Sequence, residues 1–109
     1  MKIYLVACGL PGLLICVCIP MALGMVPPNG FYGFRTEKTL SSPKVWYPAN
    51  RACGWFMIAG ELLAIGFSLF LLRMHPDWPA RRLMLWMANA TPASLLLSVA
   101  ASFIYLRHL

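Results

Sequence analysis

Three long apolar runs constrain this chain more than any other feature: Ile3 to Val26, Cys53 to Leu72 and Leu83 to Leu106. A bilayer hydrocarbon core of about 30 Å takes about 20 helical residues at about 1.5 Å each, and every run reaches that length. Backbone groups in lipid must be paired within the spanning segment, which favours helices. The runs lack the two-residue alternation of a membrane β-strand. Composition agrees, because 61% of residues are hydrophobic and 11% charged, whereas a soluble domain is about a quarter charged. Too few polar residues remain to coat a soluble core. The pattern predicts an all-α integral membrane protein, a bundle of three transmembrane helices with a structured interfacial loop between the first two. The expected organisation is one transmembrane domain over residues 1–109. Its helices fall at about 3–26, 53–72 and 83–106, and its loop at 27–52.

Nine Lys and Arg oppose three acids, a net charge of +6. In a soluble chain that excess would suggest nucleic acid. Here the basic residues sit at the ends of apolar runs, so lipid headgroups are the expected partner and nucleic acid is not. Lys2 before an apolar stretch resembles the start of a signal peptide, but the run is long for one and contains Pro11 and Pro20, so a retained helix is expected. The four cysteines, Cys8, Cys16, Cys18 and Cys53, lie in or beside apolar segments. They suit apolar filling rather than a disulfide framework or zinc site. Three spans place Lys2, Arg73, Arg81 and Arg82 at one end and Arg35, Lys38, Lys44, Arg51 and Arg107 at the other. That near balance decides no orientation; discounting the first connection as a functional site leans it towards an inside N-terminus.

Helices in lipid associate through small residues. Each run carries a stripe of them at four-residue spacing: Gly12, Cys16, Pro20, Gly24; Gly60, Ala64, Ser68; and Ala90, Ser94, Ser98, Ser102. The simplest reading is the seam of the bundle, with an oligomer face as the sharper one. Glu61 is the one charged residue well inside a run. Charge at that depth costs about 2.5–3.5 kcal/mol on insertion scales. The residue therefore serves a function, pairs with a base such as Arg51 or Arg35, or is kept neutral by desolvation. If the second helix starts early, Trp46, Asn50, Gly54, Met57, Glu61, Ala64 and Ser68 fall within about 40° of one line. Ser41-Ser42-Pro43 supplies such a start, a serine cap followed by proline in the first turn. Pro48 opposes it, because an interior proline kinks a helix.

The first connection is rich in glycine, which permits turns, and in aromatics suited to the membrane interface. On the residues alone it reads first as an amphipathic interfacial segment meeting only headgroups. Its order carries more. Asn29-Gly30-Phe31-Tyr32-Gly33-Phe34-Arg35-Thr36 is followed by Thr39-Leu40-Ser41-Ser42, Val45-Trp46, Ala49-Asn50-Arg51 and Gly54. This block resembles the SdpI family, bacterial multi-pass membrane proteins named for immunity to a secreted killing peptide. Phe34 stands where tyrosine is common, and Pro48 interrupts the segment between Trp46 and Asn50. The chain is also shorter than the family's naming immunity protein, so the resemblance implies the membrane module more strongly than immunity.

What the resemblance implies is a protein of the bacterial cell (inner) membrane that protects against a membrane-active toxin peptide. Its expected ligand site comprises Asn29, Gly33, Arg35, Thr36, Trp46, Asn50 and Arg51, with Glu61 beneath. Two alternatives come from the residues. A homo-oligomer could enclose a proton or ion path using Glu61, or the chain could be an assembly subunit of a larger membrane complex. Enzymatic activity is not expected, with no catalytic residues, because no Ser/His or Cys/His pairing or metal-ligand spacing is readable. No metal and no cofactor is expected.

Overall fold

A computed structural model describes residues 2–109, with Lys2 described through its backbone alone. The chain is all-helical among the described residues: α1 (Lys2–Ala22), α2 (Pro43–Met74) and α3 (Ala80–Leu106), plus one 3-10 turn at Thr39–Ser41. All three long helices have the length and apolarity to cross a membrane, as the apolar runs predict. With 32 residues, α2 is about 48 Å long at about 1.5 Å per residue and overreaches a hydrocarbon core of about 30 Å.

The helix limits differ from those expected. The first helix ends at Ala22, not near residue 26, and the loop spans 23–42 rather than 27–52. Met25 N–H donates to the Pro20 carbonyl and Gly24 N–H to that of Met21, with Gly24 at φ +71°. This is a Schellman stop, in which a left-handed glycine lets the chain turn back on the last helical carbonyls. At the other end of the loop, α2 begins ten residues before the expected Cys53, at Pro43. Ser42 is the cap residue, but its side chain makes no capping hydrogen bond. Its carbonyl instead accepts from the N–H groups of Val45 and Trp46, at 3.2 and 2.9 Å. Pro48 lies inside the helix without ending it; the carbonyl it frees, that of Lys44, is close to the helix start. Helix α3 begins at Ala80, three residues ahead of expectation.

The middle helix packs against both others, and glycine brings it close. A Cβ on Gly54 would stand 2.6 Å from the Ala22 nitrogen of α1. One on Gly60 would stand 2.9 Å from Ser98 Oγ of α3. Half of the α3 stripe holds: Ser98 and Ser102 are buried and extend the face of Leu83, Met87 and Thr91, while Ala90 and Ser94 are half-buried. The α1 stripe does not. Cys16 is exposed, and a Cβ on Gly12 would meet nothing within 4 Å. Buried instead are Ala7, Pro11, Cys18 and Ala22. Their mixed steps of four and seven hold one face, whereas repeated four-residue steps drift about 40° each. The connection between α2 and α3 is closed by His75 stacked on Trp78 at 4.1 Å and by the Arg82 guanidinium 4.0 Å from the Trp78 ring centroid.

Candidate functional site: a clasped loop over an apolar slot

The interior stripe predicted on α2 is present. Trp46, Asn50, Gly54, Glu61, Ala64 and Ser68 are buried, and Met57 is half-buried. The loop between α1 and α2 is fastened to its upper half. Asn50 does most of this: Oδ1 accepts from Phe34 N–H at 2.6 Å, and Nδ2 donates to the carbonyls of Phe34 at 3.2 Å and Trp46 at 3.0 Å. Trp46 is fully buried, and its indole N–H donates to the Val26 carbonyl at 2.8 Å. Gly33 passes beneath this pair at φ +119°, where an added Cβ would lie 2.7 Å from Asn50 Oδ1 and 3.2 Å from the Trp46 ring. Left-handed backbone and lack of room both demand glycine there.

The loop also organises itself. Asn29 Oδ1 accepts from the N–H groups of Phe31 and Tyr32, while Nδ2 donates to the carbonyls of Pro27 and Tyr32. This is a side chain standing in for a turn's backbone. Thr36 N–H donates to Thr39 Oγ1 at 2.7 Å, and Thr39 N–H to Thr36 Oγ1 at 3.1 Å. The loop reaches both outer helices as well. Tyr32 Oη donates to the Val17 carbonyl of α1, and Lys38 Nζ donates to the Leu106 carbonyl of α3 at 2.8 Å. Phe34 meets Phe103 edge-on at 5.2 Å. Burial, with nearby Cys18 as a smaller cause, pushes the Tyr32 phenol above its ordinary value.

The predicted site residues therefore divide. The polar atoms of Asn29, Thr36, Trp46 and Asn50 are taken by the loop's own backbone and side chains. Arg35 and Arg51 are exposed. Arg51 lies along the α1 exit, its Nε 3.2 Å from where a Cβ on Gly24 would stand. Arg35 shares in none of the loop's hydrogen bonds among the described residues, and it stands at the mouth of a slot of about 450 Å³. Tyr32 to Thr36 roof this slot; Cys53 and Met57 of α2 line it; Leu14 and Val17 of α1 face Leu95 and Val99 of α3. Sequence reasoning missed these outer walls. They come from segments about 80 residues apart, counting from Leu14 to Leu95, and nothing local marks them.

Glu61 lies apart from the loop site. It is fully buried, and Ser94 Oγ donates to its Oε1 at 2.5 Å. Its other oxygen is buried without a partner among the described residues. The pairing with Arg35 or Arg51 that the sequence admitted is not formed, since the α3 serine takes that position. Ser98 and Ser102 hydroxyls donate to main-chain carbonyls of Ser94 and Ser98, at 2.8 and 2.7 Å, rather than to one another.

Fold and site together define a multi-pass helical membrane protein whose first connection is clasped onto its central helix. The sequence profile of the SdpI/YfhL protein family matches residues 25–106, and the chain belongs to that family. The match takes in the loop, α2 and α3. A relative from Bacillus subtilis (strain 168), the uncharacterized protein YfhL, is 32% identical over 75 residues, covering 61% of this chain and 68% of that protein. No solved structure matches the chain.

Proposed function

We propose that this chain protects the bacterial cell (inner) membrane against a membrane-active peptide, which lies at the interface and engages the mouth of the slot beneath the loop. Family membership supports the setting. The observation that carries the reading is the slot itself: concave, mostly apolar, within the size range of small-ligand sites, and overhung by a loop that every neighbouring helix fastens. Phe31, next in the chain to Tyr32 of the slot lining, is almost fully exposed, and Arg35 offers an exposed polar head. This end carries Arg35, Lys38, Lys44, Arg51 and Arg107 against Glu37. The favoured peptide is thus apolar rather than strongly cationic, since like charges across an interface repel.

Survival of cells expressing the chain under a panel of membrane-depolarising peptides tests this. Selective protection, lost in Arg35→Ala at unchanged membrane abundance, is the expected result. Full protection by that variant removes the site, and no protection from any peptide removes the function. Glu61 favours a second reading, transport of a proton or ion: it is a buried intramembrane acid with one carboxyl oxygen unpartnered among the described residues, and ionisable groups at that depth mark ion and proton paths. A homo-oligomer would then enclose the path. Proton flux into vesicles that Glu61→Gln leaves unchanged would exclude that role.

A further inference from the structure

The slot is deeper than its mouth requires. It descends from the loop to Leu14 on α1, eight residues below the helix end at Ala22, or about 12 Å at about 1.5 Å per residue. The lower walls, Leu14, Val17, Leu95 and Val99, are hydrocarbon, and Val17 and Val99 stay partly open to the surrounding bilayer. Its polar side chains cluster at the roof, where the Tyr32 hydroxyl already serves the Val17 carbonyl and Thr36 is engaged with Thr39. A peptide main chain in the depth would bury N–H and C=O groups without partners. A helix, about 10 Å across, needs more room than a slot of about 450 Å³ offers. An acyl chain has no groups to satisfy.

The head of such a ligand is set by charge. Arg35 is exposed and outside the loop's hydrogen-bond network. Five basic residues stand at this end against Glu37, a balance of +5 − 1 = +4. Guanidinium forks bind phosphate oxygens in pairs, and basic residues at the headgroup level select anionic lipid. We infer that the resident occupant of the slot is an anionic phospholipid, one acyl chain held between α1 and α3 and its phosphate on Arg35. The inference shares the slot with the proposed function but does not need the protection to be real. A peptide would compete at the mouth.

The test reconstitutes the chain into vesicles of equal phosphatidylglycerol and phosphatidylcholine, re-extracts it in mild detergent, and counts retained lipid by native mass spectrometry. One phosphatidylglycerol per chain is expected. Arg35→Gln lowers its preference over phosphatidylcholine about fivefold, the equivalent of one surface cation. Val99→Trp fills the slot and abolishes retention. Should that variant fail to fold, Cys53 reports instead: it lines the slot, and added phosphatidylglycerol, not phosphatidylcholine, slows its alkylation in a chain lacking Cys8 and Cys16. Equal retention of both lipids, indifferent to both variants, overturns the inference. Retention as expected without protection from any peptide sustains it and removes the proposed function. Protection lost in Val99→Trp, with no lipid held by the wild-type chain, gives the slot to the peptide and overturns it.

Discussion

Replacing Asn50 with alanine removes the side chain that joins the loop to α2. Phe34 loses both main-chain partners, its N–H bond at 2.6 Å and its carbonyl bond at 3.2 Å. The Trp46 carbonyl, which also accepts from Asn50, keeps its helical bond and adds little. At about 1 kcal/mol net for each lost bond, the loop is loosened by about 2 kcal/mol. Cys53 is a convenient reporter, being 2% exposed and part of the slot beneath the loop. Its thiol reacts when the loop lifts, so its alkylation rate follows the opening equilibrium. About 2 kcal/mol then corresponds to a rate about 30-fold faster. The assay replaces the exposed Cys8 and Cys16 with serine and assigns the remaining adducts by mass spectrometry. Asn50→Asp keeps the acceptor for Phe34 N–H but loses the donors, and should fall between the two. Gly33→Ala crowds Asn50 Oδ1 and strains the backbone; it should accelerate alkylation by itself and add little to Asn50→Ala, because both changes open one clasp. An Asn50→Ala chain whose Cys53 reacts at the wild-type rate would show that the loop is held by something else.

Other consequences follow from the same contacts. Gly54→Ala forces a Cβ against the α1 backbone and should destabilise the bundle by about 1–3 kcal/mol in detergent unfolding, whereas Gly12→Ala, which meets nothing within 4 Å, should be neutral or slightly stabilising. Glu61→Gln can donate its amide to Ser94 Oγ and should unfold within about 1 kcal/mol of wild type, while Glu61→Ala loses the bond and leaves a void, costing about 2 kcal/mol or more by the same measurement. Because the Tyr32 phenol sits above the usual value of about 10, its tie to α1 holds below that pH and is lost as pH rises through the raised value. The thermal midpoint should therefore fall more steeply in strong alkali for wild type than for Tyr32→Phe.

Much of this was legible in the residues. Run length fixed the number of spans, because a bilayer sets how many apolar residues a helix needs and pairing in lipid forbids most alternatives. Angular counting found the interior face of α2 from Trp46 to Ser68, since a mixed three- and four-residue pattern can keep only one side of a helix. The order of motif residues from Asn29 to Gly54 pointed to the family. The α1 stop was written as Gly24 before Pro27 and Pro28, although apolarity continuing to Val26 masked it. The role of the motif's polar side chains was not legible. Asn29, Thr36, Trp46 and Asn50 look like ligand groups in a sequence, and only the fold reveals that backbone carbonyls and amides of the loop occupy them.

Sequence by itself determined that the chain is a bundle of membrane-spanning helices, which face of α2 turns inward, and that Glu61 is buried, because solvent and helical geometry act on each segment separately. Tertiary structure decided which side of α1 packs, that Ser94 rather than an arginine meets Glu61, and that Arg35 is exposed beside a slot built from three helices and a loop. Those outcomes depend on how helices rotate and lean against one another, and that is set by close approaches such as Gly54 on Ala22 and Gly60 on Ser98, between residues that have no local relation in the chain.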